Sequence, residues 1–218
     1  MTVHSVSGND VTLKPALNTP FAVDGEIGEN RSAIRDQLCR IGHDLFWMGL
    51  QSPRSGNLSA LLEDGRSFLI TRRGSSLRML DPQNDLVVVE FDRPMPAEAS
   101  SEALVHAAIY RSTNHRAVVH AHPPYAIALS FGTMTISPIH NEGRVLLGDV
   151  PITTSNASEG EGEDPAPIAA ALKDARAMVV RGHGAFAAGA DCESAFYHMG
   201  LLEASAKIVY LTRFTRPE

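Results

Sequence analysis

His120 and His122 stand two residues apart in the segment Ala117–His122, AVVHAH. Side chains of a β-strand repeat their direction every second residue. A strand running through both positions therefore aims the two imidazoles at one face, where they can share a cation. The same pair is equally compatible with two hydrogen-bonded structural histidines. Pro123 and Pro124 then stop the strand. A catalytic zinc site commonly takes three protein ligands and keeps one position open. His183 is the candidate third donor. It follows the apolar run Met178–Arg181, and Gly182 and Gly184 on either side let the backbone turn and approach closely. Imidazoles suit several divalent metals, so the donor set points to a cation more firmly than to one element.

A base and an anion cradle can be placed beside such a site. Ser100-Ser101-Glu102 opens an expected helix. In the plain reading Ser100 caps that helix and Glu102 favours its positive end. In the functional reading the hydroxyls and backbone amides receive an anion while Glu102 faces the cation as a base. Ser55-Gly56-Asn57 is a tight turn able to present N–H groups, and Arg72-Arg73-Gly74-Ser75 adds two cations and a flexible glycine. Each segment also has an ordinary explanation, as a turn or a solvated charge pair. Of the other histidines, His4, His43, His115 and His198 read as surface or core-edge residues. His106 lies four residues after Glu102 on one helix face, where it can position that carboxylate or equally serve simple packing. His140 sits in an irregular segment.

The elements that must position these groups alternate along the chain. Ile34, Leu38, Ile41 and Leu45 recur at helical spacing and predict a helix over Arg31–Met48. Leu58–Leu62 and Phe68–Thr71 flank Glu63-Asp64-Gly65-Arg66 as a hairpin. Strands are expected at Leu86–Phe91, Ala117–Ala121, Met178–Arg181 and Ala185–Ala188. Helices are expected at Ser101–Arg111, Tyr125–Ser130, Pro167–Ala175 and Cys192–Thr212. Short strands interleaved with helices imply a mixed sheet covered by helices. Residues 1–30 are polar and read as an N-terminal arm, leaving 31–218 as one domain. The acidic, Gly/Pro-containing stretch Ser155–Pro167 reads as a surface loop before a helix.

Composition narrows the class. The chain has 218 residues, 44% hydrophobic, with a net charge of -6. That balance disfavours a nucleic-acid binder, which needs a basic field. Two cysteines, Cys39 and Cys192, build no disulfide scaffold and fit a reducing cytoplasm. No apolar run reaches the ~20 residues of a membrane span, and the first residues lack the pattern of a secretory signal.

Taken in chain order, Ser55-Gly56-Asn57-Leu58-Ser59, Ile70-Thr71 with Gly74, Ser100-Ser101-Glu102, His120-Ala121-His122 and His183-Gly184 resemble the class II aldolase/adducin family. Within it they resemble the L-fuculose-1-phosphate aldolase type, over Ile34 to Tyr210. The resemblance implies a three-layer α/β/α sandwich with a central mixed, largely antiparallel sheet. It also implies a homotetramer with active sites near subunit interfaces. The ligand set it implies is His120, His122 and His183, holding zinc first, with manganese or cobalt as alternatives. Glu102 takes the acid/base position, and Gly56, Asn57, Gly74, Ser100 and Ser101 take the phosphate-binding positions. The implied activity is that of a metal-dependent aldehyde-lyase, cleaving a small ketose phosphate through a metal-stabilised enediolate.

The alternatives are decarboxylation or epimerisation of a related sugar or sugar-acid phosphate, and a noncatalytic adducin-like assembly domain. The epimerase branch typically carries Asp where this chain has Glu102, and the noncatalytic branch usually lacks the histidines. Two departures bear on the substrate. Where many members read Thr-Pro-Ser/Thr-Gly, this chain reads Thr71-Arg72-Arg73-Gly74. Arg73 thus replaces a small hydroxyl and is suited to a bidentate contact with phosphate or carboxylate. Fuculose-phosphate aldolases use one tyrosine after the His-x-His strand, which approximately aligns with Asn141, and one in a C-terminal tail, so no tyrosine is carried over as the general acid; Tyr125 is near in sequence only.

Overall fold

The computed structural model describes residues 24–154 and 162–215. The greater part of the expected arm, and the centre of the acidic stretch at 155–161, lie outside the described residues. Helix α1, Asp24–Trp47, begins seven residues before the expected Arg31 and so takes in the end of the arm. The chain continues through β1 Asn57–Leu61, β2 Ser67–Thr71, β3 Leu86–Glu90, α2 Ala103–Ser112 and β4 Ala117–Ala121. Next come α3 Pro124–Ser130, β5 Thr135–Ile136, β6 Val150–Thr153, α4 Pro165–Ala171, β7 Ala177–Val180, β8 Gly184–Gly189 and α5 Cys192–Thr212.

The strands form one sheet in the order β3-β2-β1-β4-β8-β7-β6-β5. Every neighbouring pair is antiparallel except β6–β7. That parallel pair needs a crossover rather than a hairpin, and α4 lies within the connection. At the β1–β2 hairpin the Asp64 carboxylate accepts from the backbone N–H groups of Arg66 and Ser67 and from Ser67 Oγ. An Asx-type turn of this kind supplies locally the bonds a tight reversal would otherwise lack.

Alternation along the strands sorts side chains into two cores. Ala117, Val119 and Ala121 of β4 face Leu38, Ile41 and Leu45 of α1 and Met199, Leu202 and Ala206 of α5. Val118, with Phe186 and Ala188 of β8, faces Val105 and Ile109 of α2 and Ile168 of α4. Each of the larger buried side chains among these (Leu, Ile, Val, Met, Phe) contributes about 1.5–3 kcal/mol. The sheet is thus covered on both faces, and the chain is the three-layer α/β/α sandwich that its sequence implied. Among the described residues no helix is long and apolar enough to cross a membrane.

Candidate metal centre

The site lies at one end of the sheet, where β4 ends and β1 and β8 begin. Asn57 pairs with His120, and His120 with Phe186, in the registers β1–β4 and β4–β8. His120 shares its sheet face with Val118, the face covered by α2 and α4. Strand β4 spans Ala117–Ala121 as expected, so His122 lies one residue beyond its end. The His122 N–H instead donates to the Leu50 carbonyl at 2.7 Å. That bond holds the extended path for one further residue, so the two imidazoles still meet, Nε2 to Nε2, at 3.3 Å. His183 occupies the β7–β8 turn, and its N–H donates to the Val180 carbonyl.

The three rings converge. Their centroids lie 5.0 to 5.1 Å apart, and one nitrogen from each falls within 4.8 Å of the others. Gly184 makes this approach possible. A Cβ there would stand 2.6 Å from the Ala121 carbonyl oxygen and 2.8 Å from His122 Cδ2. The second nitrogens of His120 and His183 are engaged behind the cluster. His120 Nδ1 donates to the Ala185 carbonyl at 3.0 Å, and His183 Nδ1 lies 2.5 Å from Glu163 Oε1.

This donor set fits a divalent cation. Two nitrogens each about 2.0–2.1 Å from one tetrahedral ion stand roughly 3.4 Å apart, close to the His120–His122 spacing. Burial, reinforced by the neighbouring His183, pushes His122 down to about 4. Burial, with His122 and His183 beside it, holds His120 well below the usual imidazole range. Both rings therefore stay neutral at pH 7 and keep the lone pair that a cation needs.

Glu102 sits at the N-cap of α2 and is 5% exposed. Burial raises its carboxyl above the ordinary range, opposed by the Glu163 N–H, which donates to Glu102 Oε2 at 3.3 Å, and by His183. Ser100 is buried, and its Oγ accepts from the Glu102 N–H at 3.3 Å. The remaining expected anion positions fall in two groups. Gly56 lies against the His120 carbonyl. Asn57 is buried, with its Oδ1 unpartnered. The Arg73 N–H donates to the Glu98 carbonyl, and Arg72 bridges Ala99, which brings the Arg73-Gly74 turn beside Ser100 and Ser101. The two arginines part company here. Arg72 Nε turns away to the Asn84 carbonyl, whereas Arg73 is exposed with Nε 3.5 Å from the Ala99 carbonyl.

Three residues near the site escape a reading of the sequence. Glu163 lies within the stretch Ser155–Pro167 that reads as a surface loop, yet it is 9% exposed and touches both His183 and Glu102. Phe186 is fully buried against the His120 ring. Ser59 joins His106 and Tyr110 in a buried hydrogen-bonded group; the spacing of His106 and Tyr110 on one face of α2 was its only sequence signal. Of the two readings of His106 the structure favours packing: its ring bonds Ser59, which in turn bonds Tyr110. His140 Nε2 accepts from the Gly143 N–H, away from the cluster. Tyr125 packs on Tyr210 of α5, and its N–H donates to Glu203.

Fold and site together define a family. Residues 36–210 match the Class II Aldolase and Adducin N-terminal domain, and the chain belongs to that family. It is 31% identical over 188 residues to the 3-oxo-tetronate 4-phosphate decarboxylase of Escherichia coli K12, covering 82% of this chain and 87% of that one. It is 29% identical over 184 residues to the L-fuculose phosphate aldolase of Escherichia coli K12, covering 84% of each. The crystal structure of L-fuculose-1-phosphate aldolase from Thermus thermophilus superposes with a TM-score of 0.78 at 37% identity. That superposition covers 87% of this chain and 99% of the other.

Proposed function

We propose that the protein is a divalent-metal-dependent lyase that cleaves a carbon–carbon bond of a small ketose phosphate, releasing an aldehyde in the manner of the fuculose-phosphate aldolases it resembles. The observation that carries this reading is the convergence of the His120, His122 and His183 nitrogens within 4.8 Å, beside the buried carboxyl of Glu102. His120, His122 and His183 hold the ion, zinc first, with manganese or cobalt as alternatives. When bound, the ion supplies Lewis acidity to the substrate's carbonyl and hydroxyl oxygens, worth several kcal/mol. Glu102 carries the proton at the carbon beside the carbonyl. Its raised carboxyl brings it toward the pH at which proton transfer in either direction is efficient.

Gly56, Asn57, Gly74, Ser100 and Ser101 hold the phosphate, and Arg73 adds a cation beside Ser100 and Ser101. Fixing the phosphate places the reacting carbon and removes much of the entropic barrier. The assembly is a homotetramer. Exposed Trp47 and Phe214, each 70% accessible, and Phe131 at 67% supply apolar surface for subunit contact. Phe131 lies beside Gly182, next to His183, which supports active sites near the interfaces.

A second reading, decarboxylation of a sugar-acid phosphate, is favoured by Arg73 and by the similarity to the 3-oxo-tetronate 4-phosphate decarboxylases. One experiment separates the two. Metal-loaded protein is incubated with ketose 1-phosphates and with 3-oxo sugar-acid phosphates, and dihydroxyacetone phosphate and carbon dioxide are assayed in parallel. Dihydroxyacetone phosphate released from a ketose 1-phosphate together with an equimolar aldehyde, and without carbon dioxide, supports the aldolase reading. Carbon dioxide from a 3-oxo sugar-acid phosphate, with its decarboxylated ketone (dihydroxyacetone phosphate from a 3-oxo-tetronate 4-phosphate) and no cleavage of the ketose 1-phosphates, replaces it with the decarboxylase reading; no product from either class rejects both.

A further inference from the structure

Glu163 is a buried carboxylate in a segment whose composition reads as solvated. Its neighbour Asp164 is exposed and does an ordinary task, accepting from the Ala166 N–H at 3.0 Å to cap α4. Glu163 instead turns inward and is engaged twice. Its Oε1 lies 2.5 Å from His183 Nδ1, with the Glu163 side chain only 6% accessible. Its backbone N–H donates to Glu102 Oε2 at 3.3 Å. A third contact fixes the segment: Gly162, at φ +72, comes so close to Ser101 that a Cβ would stand 2.6 Å from its carbonyl oxygen. A buried carboxylate is expensive unless its hydrogen bonds are made, so Glu163 is not a residue that merely fills space.

We propose that Glu163 is a positioning residue that ties the metal ligand His183 to the base Glu102. The proposal rests on the metal-centre reading above. A carboxylate oxygen accepts, so His183 Nδ1 carries the proton and its Nε2 lone pair is left for the cation. The same residue's N–H sets where the Glu102 carboxylate lies. One short segment before α4 thereby fixes both the ring plane of a ligand on the β7–β8 turn and the carboxylate at the start of α2. His183 belongs to the sheet and Glu102 to the helix layer that covers it, and Glu163 bridges the two. His120 is held from behind by a backbone carbonyl of β8. Since its turn offers no such carbonyl to Nδ1 among the described contacts, His183 depends on Glu163.

The test uses the full-length protein and cobalt(II) alone. Cobalt affinity is measured by chelator competition, the site is followed by its visible d–d absorption, and the His183 tautomer is read from long-range ¹H–¹⁵N spectra of the metal-free protein. Wild type is expected to bind cobalt and to show His183 in the Nδ1–H form. Glu163→Ala is expected to weaken cobalt binding by about 10–100-fold, to alter the absorption and to mix the tautomers. Glu163→Gln, whose amide oxygen still accepts from Nδ1–H, is expected to restore the tautomer and most of the affinity. Wild-type affinity and tautomer in Glu163→Ala would overturn the positioning role and leave the metal centre standing. Should Glu163→Ala not fold, a mixed tautomer in Glu163→Gln overturns the role and a pure Nδ1–H form supports it. A wild type that takes up no cobalt overturns the metal centre itself, and this role with it.

Discussion

The His120 ring lies face to face with Phe186, with centroids 4.2 Å apart and planes 20° from parallel. The two residues are direct partners across β4 and β8, so sheet register alone brings them together. The ring is therefore fixed on one face by a buried aromatic and at Nδ1 by the Ala185 carbonyl. Phe186→Ala is expected to destabilise the metal-free protein by about 3–5 kcal/mol, the usual cost of emptying a buried aromatic site. Cobalt affinity should fall as well, since His120 gains freedom that binding must remove. Phe186→Leu should cost less on both counts. Urea unfolding and chelator competition measure the two effects; an affinity that is unchanged while stability falls would confine Phe186 to packing.

Glu102 and the histidines should separate cleanly under mutation. Glu102→Gln keeps the shape of the N-cap side chain and should lower turnover by about 10²–10⁴-fold, the range for losing a general base, while one equivalent of metal stays bound. His120→Ala and His183→Ala should lose metal together with turnover. Metal content by elemental analysis, read beside alpha-proton exchange in deuterium oxide, gives both quantities. Undiminished exchange in Glu102→Gln would remove Glu102 from the mechanism, and full metal retention in either histidine variant would remove that ligand.

The period-two pattern of AVVHAH was enough to place His120 and His122 on one face, and Gly182-His183-Gly184 was enough to suspect a close turn, because both signals are local. The α5 boundaries were legible for the same reason: Asp191 before Cys192 accepts from the Ser194 N–H as an ordinary N-cap. What the sequence hid was non-local or short. Strand β6 contains Pro151, which argues against a strand by propensity, and β5 has only two residues. Their pairing rests on neighbours rather than on pattern. The role of Glu163 is not legible in the sequence because acidity near Gly and Pro normally means solvent, and its partners lie 20 and 61 residues away.

Arg73 makes a prediction about the substrate. It is exposed at the rim beside Ser100, while Arg72 is committed to the Asn84 carbonyl. Removing a charge-assisted contact to an anion costs about 1.5–3 kcal/mol, or roughly 10–100-fold. Arg73→Ala should therefore raise KM by that factor with little change in kcat, and should flatten the dependence of KM on salt. Arg72→Ala should leave KM within about twofold by the same scale. Equal KM values for wild type and Arg73→Ala, measured at low and high salt, would show that Arg73 does not touch the substrate.

Stability in acid should depend on His106. Its Nδ1 bonds Ser59 Oγ at 2.6 Å, Ser59 in turn bonds the Tyr110 hydroxyl at 2.5 Å, and its Nε2 is buried without a partner. Burial pushes this imidazole down to about 3, against about 6.5 in an unfolded chain. Between those values the unfolded chain holds a proton that the folded chain does not. Stability therefore falls as pH falls through 6.5 and keeps falling until the folded value is reached; above 6.5 the group contributes no pH dependence. At pH 4.5 the loss from this one residue is about 2–3 kcal/mol. His120 and His122 are also depressed by burial and add to the same acid limb, so the informative quantity is a difference between variants. His106→Leu deletes the titrating group at similar volume. Its unfolding free energy in urea, metal-free, should drop by about 2–3 kcal/mol less than wild type between pH 7 and pH 4.5. Parallel losses in the two proteins would mean that the buried ring takes up its proton without unfolding.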